Sequence, residues 1–237
     1  MLDKKQKYLQ IALNSTLEEA KAIISQIPLD KRIILEAGTP LIKTYGLNAI
    51  RMIRNWWEER ILGPSFQTQR ILQNSTKVFT PYVVADLKCM DRGAREVAIA
   101  KAGGASGAVV LGQAPIETIN SFIEECEKYG LDSMIDMMNV KYSLEILRQL
   151  KKLPNVVILH RGVDEEAFNP ESEIPYHEIQ RIKENYDILV AIAGGDTIQE
   201  VQRAIFNDAD IVVVWKSFYQ STAETAKLAE EFLKEIR

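Results

Sequence analysis

At 237 residues, 46% of them hydrophobic and 26% charged, the chain has the material for one large core, and a net charge of −4 argues against nucleic acid as its main partner. Its first residues, MLDKKQKYLQ, carry no apolar stretch of signal-peptide length, and no run is long enough to span a bilayer, so no membrane association is expected. The only cysteines, Cys89 and Cys126, form no CxxC or zinc-type cluster, which points to a cytoplasmic protein without a structural metal site.

The first predicted strand, YLQIAL (8–13), ends at Asn14, and the helix TLEEAKAIISQI follows with Thr16 as N-cap and acids in its first turn. RIILEA (32–37) is the second strand and brings Glu36 to its end. From Glu36 to Asp86 the chain takes about fifty residues, roughly twice what one helix and two loops need. RMIRNWWEERIL continues the second helix, and GPSFQTQRILQNSTKVFTP adds an extra turn or short helix, so an extended connection is expected at about 55–80. Trp56 and Trp57 in this segment either pack the helix onto the sheet or a subunit interface, or form a lid or partner surface.

The third strand, PYVVAD (81–86), runs into VADLKCMD (84–91), where Asp86, Lys88 and Asp91 crowd together. SGAVVLG (106–112), LDSMID (131–136), NVVILH (155–160), DILVAIAG (187–194) and DADIVVVW (208–215) complete the strands, several of them apolar on both faces. Between and after them lie IETINSFIEECEKYG, ending on a C′ glycine at Gly130, then HEIQRIKENY, TIQEVQRAIFN and TAETAKLAEEFLKEIR, all with helical spacing. Eight strands alternating with eight helices predict a single-domain α/β protein, a (β/α)₈ TIM barrel over 1–237, a fold of typically ~250 residues. A doubly wound sheet is the alternative, but GxGxxG after the first strand is missing.

In such a barrel the C-terminal strand ends build the site. Those ends carry Asn14, Glu36, the Asp86/Lys88/Asp91 group, Gly112-Gln113, Asp136, His160-Arg161, Gly194-Gly195-Asp196 and Trp215-Lys216. Glu36, Asp86 and Asp136 offer hard oxygen ligands and no thiolate accompanies them, which favours Mg²⁺ over zinc; a simple ion pair with Lys88 accounts for one acid, not for the set. His160 is suited to moving protons at neutral pH, whereas His177 sits in a polar loop-to-helix stretch and is expected in solvent. AGGD (193–196) leads into a helix, so its N–H groups are candidates for holding an anion, or it is only a tight turn.

LQIALN, ILEAGTPLIKTYG, VADLKCMDRG, HRGVDEE and the AGGD turn resemble the 3-hexulose-6-phosphate synthases, members of the orotidine-5′-monophosphate decarboxylase suprafamily with the 3-keto-L-gulonate-6-phosphate decarboxylases. The resemblance runs from about residue 8 to 225, broken at 55–80, and the EAGTPLIK and DLKxMDxG stretches are specific to the synthase and keto-gulonate branch. It implies a homodimer of barrels with shared active sites, Mg²⁺, a sugar-phosphate substrate and an enediolate intermediate. Ribulose 5-phosphate would lose a C1 proton and add to formaldehyde, reversibly, as in an aldehyde-lyase. By the same resemblance Glu36 and Asp86 would hold Mg²⁺, Lys88 would stabilise the oxyanion, His160 would shuttle the proton, and Asp91 would reach the partner's site. Asn14, Asp136 and Arg161 would contact substrate, and Gly194 and Gly195 would offer N–H groups to its phosphate.

Two departures stand out. Asn14 replaces the family's usual Asp, keeping hydrogen bonds but losing charge. At the last strand VVVWKSFY puts Trp215 where the family has Gly, so either Lys216 holds phosphate as a point charge or Trp215 fills the pocket. Decarboxylation of a keto sugar acid phosphate or of orotidine 5′-phosphate is the same-class alternative; a non-catalytic ligand-binding or scaffold barrel is the alternative of another class.

Overall fold

β-Branched runs that are apolar on both faces make strands only where both faces can be covered, and here helices cover one face and the barrel interior the other. The computed structural model describes residues 1–63, 79–169, 171–220 and 224–236. Its strands are β1 (Tyr8–Leu13), β2 (Ile33–Ala37), β3 (Val83–Cys89), β4 (Gly107–Leu111), β5 (Asp132–Asp136), β6 (Val156–His160), β7 (Leu189–Ala193) and β8 (Ile211–Val214). They pair in parallel and in sequence order, and β1 pairs with β8 to close the barrel.

The helices among the described residues are α1 (Leu17–Gln26), α2 (Thr39–Tyr45), α3 (Leu47–Leu62), α4 (Gly93–Gly103), α5 (Ile116–Tyr129), α6 (Ser143–Leu147), α7 (Val163–Phe168), α8 (His177–Asn185), α9 (Ile198–Phe206), α10 (Lys216–Gln220) and α11 (Thr225–Glu235). Their number exceeds the eight expected for two reasons. Gly46, at φ 60°, breaks the expected continuous second helix into α2 and α3, and short helices α7 and α10 are added after β6 and β8. Thr16 and Thr197 cap α1 and α9 with their side chains, and Gly130 ends α5 in the left-handed conformation. Among the described residues no helix is long and apolar enough to cross a membrane. The expected extra turn after Gly63 falls on residues 64–78, outside the described residues.

Trp57 is fully buried and meets Phe79 edge-on, with ring centroids 6.0 Å apart, while Trp56 is half-buried with the Lys21 ammonium over its ring. The packing reading of Trp57 therefore holds: it is a wedge between α3 and the barrel. Trp57→Ala is expected to cost about 4 kcal/mol of stability through the cavity it leaves, read by urea denaturation.

Inside the barrel Tyr8, Ile34, Val84, Val109, Met134, Val156, Leu189 and Ile211 form an apolar plug. Below it Asp132, 1% exposed, accepts from Leu2 N at 2.9 Å and Tyr82 Oη at 2.6 Å and closes the N-terminal end. The C-terminal mouth lies open.

Candidate active site

A cavity of about 540 Å³ sits in that mouth. Asn14, Glu36, Asp86, Lys88, Asp136, His160, Arg161, Gly194, Asp196, Trp215 and Lys216 all line it, so eleven of the strand-end positions singled out in the sequence converge. Asp91, Gly112, Gln113 and Gly195 do not. Asp91 is exposed and borders a shallow hollow with Arg92, Arg95 and Glu117, outside the cavity of its own chain. Gly195 is buried against Glu200 and Ile174, turned from the cavity toward the start of α9.

The third strand, expected to stop at Asp86, continues as β3 to Cys89 because it bulges. The step from Ala85 to Cys89 runs beside the shorter step from Ala108 to Val110 on β4. Within the bulge Lys88 adopts φ 43°, a left-handed conformation that costs a non-glycine residue about 1 kcal/mol or more. That geometry turns its side chain across the mouth to β5, where Lys88 Nζ donates to Asp136 Oδ2 at 2.6 Å, with Asp86 Oδ2 at 3.3 Å. Asp91 takes no part in this pairing.

Asp136 is the hub. It is 1% exposed, its Oδ1 accepts Met138 N at 2.9 Å, and its Oδ2 receives both Lys88 Nζ and His160 Nδ1, the latter at 2.8 Å. Burial alone would raise its pKa, but the charges of His160 and Lys88 outweigh it and hold the carboxyl well below its usual range. The reciprocal effect lifts His160: burial disfavours its charge, Asp136 more than compensates, and its pKa moves above the ordinary value. Lys88 is likewise pushed up, because Asp86 and Asp136 overcome the burial that opposes its charge. With Nδ1–H donated to Asp136, the neutral His160 ring carries its lone pair on Nε2.

Across the cavity Glu36 is buried and accepts from Gln10 Nε2. Burial first, and Asp86 second, push its pKa up to about 7. Thr39 Oγ1 donates to Asp86 Oδ2 at 2.8 Å, while Asp86 Oδ1 is buried with no hydrogen-bond partner among the described residues. An orphaned carboxylate oxygen beside a second carboxyl whose pKa stays raised even with Lys88 and His160 nearby is a pair that a divalent ion can join. Among the described residues no third such group joins them, and two carboxylates suit Mg²⁺, which keeps water and substrate oxygens in its shell. The residues present fit the ion.

Gln10 and Thr39 escaped the sequence reading. Gln10 had a signal: a lone amide at an inward position of an otherwise apolar strand must find a partner. Thr39 had none beyond its place in EAGTP. Asn14 N donates to Tyr219 Oη at 2.7 Å, and its side chain lies where a Cβ on Gly38 would be, 1.7 Å from Asn14 Oδ1, so that close approach requires glycine. Lys216 Nζ donates to Glu166 Oε2 at 2.6 Å, and Trp215 lines the cavity. His177 starts α8 with 73% of its side chain exposed, in solvent as expected.

Residues 7–231 match the model of the orotidine 5′-phosphate decarboxylase / HUMPS family. The chain is similar to the bifunctional enzyme Fae/Hps of Methanothrix thermoacetophila, 37% identical over 232 residues that cover 97% of this chain and 53% of the relative. It thus spans about half the length of the curated relatives it matches. Among solved structures it is similar to the 3-hexulose-6-phosphate synthase of Salmonella typhimurium, with a TM-score of 0.78, 26% identity, and 97% of this chain and 98% of that one covered. It shares its fold with the KGPDC of Streptococcus mutans, at a TM-score of 0.73 and 17% identity, with 98% of this chain and 97% of that one covered.

Proposed function

The chain belongs to the orotidine 5′-phosphate decarboxylase / HUMPS family, and from that membership we propose that it is an aldehyde-lyase of the hexulose-phosphate synthase type, joining formaldehyde to ribulose 5-phosphate reversibly through an enediolate. The observation that carries this reading is the Lys88–Asp136–His160 array, a fixed cation and a poised base on one buried carboxylate. His160 Nε2 takes the C1 proton of the sugar phosphate. Lys88, held charged, faces the oxygen on which negative charge then develops, an interaction preorganised before the reaction begins. The C1 carbanion forms a bond to the formaldehyde carbon, and the resulting alkoxide takes the proton back from the His160 imidazolium.

Glu36 and Asp86 are the residues that would hold Mg²⁺. When bound, the ion supplies a doubly positive charge beside the reacting end of the substrate. Asp91, outside its own cavity, is proposed to serve the site of a second copy; a monomer by light scattering removes that role. Two buried free cysteines support a reducing, cytoplasmic setting.

Ribulose 5-phosphate incubated in D₂O with Mg²⁺ is expected to exchange its C1 proton, followed by NMR, and His160→Ala is expected to slow that exchange by about 10³-fold. Exchange that is independent of His160, or none with the wild type, sinks the reading.

A further inference from the structure

At the β7–β8 side of the cavity the N–H groups and cations are engaged by carboxylates of the chain itself. Trp215 N and Lys216 N both donate to Asp196 Oδ1, at 2.5 and 3.0 Å. Asp196 N and Thr197 N donate to Glu200 Oε2, at 2.9 and 3.0 Å. Lys216 is bonded to Glu166, and Arg161 Nη2 lies 3.7 Å from Glu166 and 3.5 Å from Glu200 while donating to Gly194 O. Two further donors there, Trp215 Nε1 and Arg161 Nε, are buried with no hydrogen-bond partner among the described residues.

Two backbone N–H groups converging on one oxygen are an anion-holding pair, and they sit after β8, on the side where barrels of this kind take phosphate. A carboxylate oxygen already occupies them. Glu166, Asp196 and Glu200 bring three acids against the cations Lys216 and Arg161, so a phosphate dianion arriving with Asp196 in place meets excess negative charge. The Asp196 backbone is anchored independently, by Ser217 Oγ donating to its carbonyl and by Glu200 accepting its N–H. Rotation of the side chain alone therefore frees the pair.

We propose that Asp196 is a specificity-determining residue: its carboxylate competes internally for the N–H groups of Trp215 and Lys216, and a phosphorylated substrate enters by displacing it. A carboxylate monoanion gains no more from the pair than Asp196 already does. A dianion has further oxygens for Lys216 and Arg161, and that surplus drives the exchange. The inference rests on the sugar-phosphate reading of the site and adds the group that filters its anions.

Inorganic phosphate titrated calorimetrically into the wild type, Asp196→Ala and Asp196→Asn tests it. Binding is expected to tighten about tenfold or more in the Ala variant. The Asn variant gains less, because its carbonyl still accepts from the same N–H groups without the charge. Unchanged or weaker phosphate binding in variants that melt like the wild type overturns the proposal. Should the Ala variant fail to fold, unchanged binding by the Asn variant overturns it equally. The substrate reading is judged separately, by C1 exchange of ribulose 5-phosphate in the same proteins: tighter phosphate without any exchange upholds the role of Asp196 and removes the substrate.

Discussion

Asp136→Asn is expected to lower C1 exchange by about 10³-fold and to move its pH profile toward acid. In the proposed reaction the exchange needs neutral His160, so in the wild type it is expected to rise with pH through a value above the ordinary histidine pKa, to which Asp136 lifts the ring. Without that carboxylate, burial meets less opposition, the ring loses its proton at lower pH, and the rising limb shifts down. A variant damaged only in packing loses rate without moving the limb, so the profile separates positioning from general disruption. Stability falls too, by about 3 kcal/mol near neutral pH, because the half-buried Lys88 and His160 lose their shared buried partner. The folded pKa of Asp136 is depressed, so its contribution is present above the ordinary carboxylate range and disappears as pH falls toward the folded value. The gap between wild type and variant in urea denaturation therefore narrows in acid.

Lys88→Met is expected to remove at least as much activity, about 10³-fold, with most of the loss in kcat, since in the proposed reaction the ammonium would act on charge that exists only after the proton has left. Arginine should not restore it. Lys88 Nζ is a compact charge reaching two carboxylates, 2.6 and 3.3 Å away, from a left-handed backbone position, and a planar guanidinium fork fills that space differently. The methionine variant also removes the cation that Asp86 and Asp136 share, leaving Asp136 its bond to His160 and Asp86 its bond to Thr39. Mg²⁺ should consequently raise the melting temperature of the variant more than that of the wild type. Equal shifts would mean that Lys88 and the proposed ion site do not share a field.

The pattern of apolar runs and helical stretches was enough to place every strand of the barrel, because hydrophobic periodicity is set by local backbone geometry and by the covering of both faces. Strand ends in a parallel barrel all point the same way, so Glu36, Asp86, Lys88, Asp136 and His160 could be assigned to one mouth without knowing a single distance. What lay beyond the sequence is what depends on register, closure and dihedral angles. The bulge in β3 and the left-handed Lys88 have no periodic signature, yet they decide that Lys88 bonds Asp136 and not Asp91. Gln10 beneath Glu36, Thr39 against Asp86, and the Asp196 carboxylate on Trp215 N just past β8 are contacts between residues 26, 47 and 19 positions apart, made only when the barrel closes. By itself the sequence determined which chemical groups reach the mouth; the tertiary structure alone decided which of them meet, because charges separated along the chain acquire partners only through the geometry that folds them together.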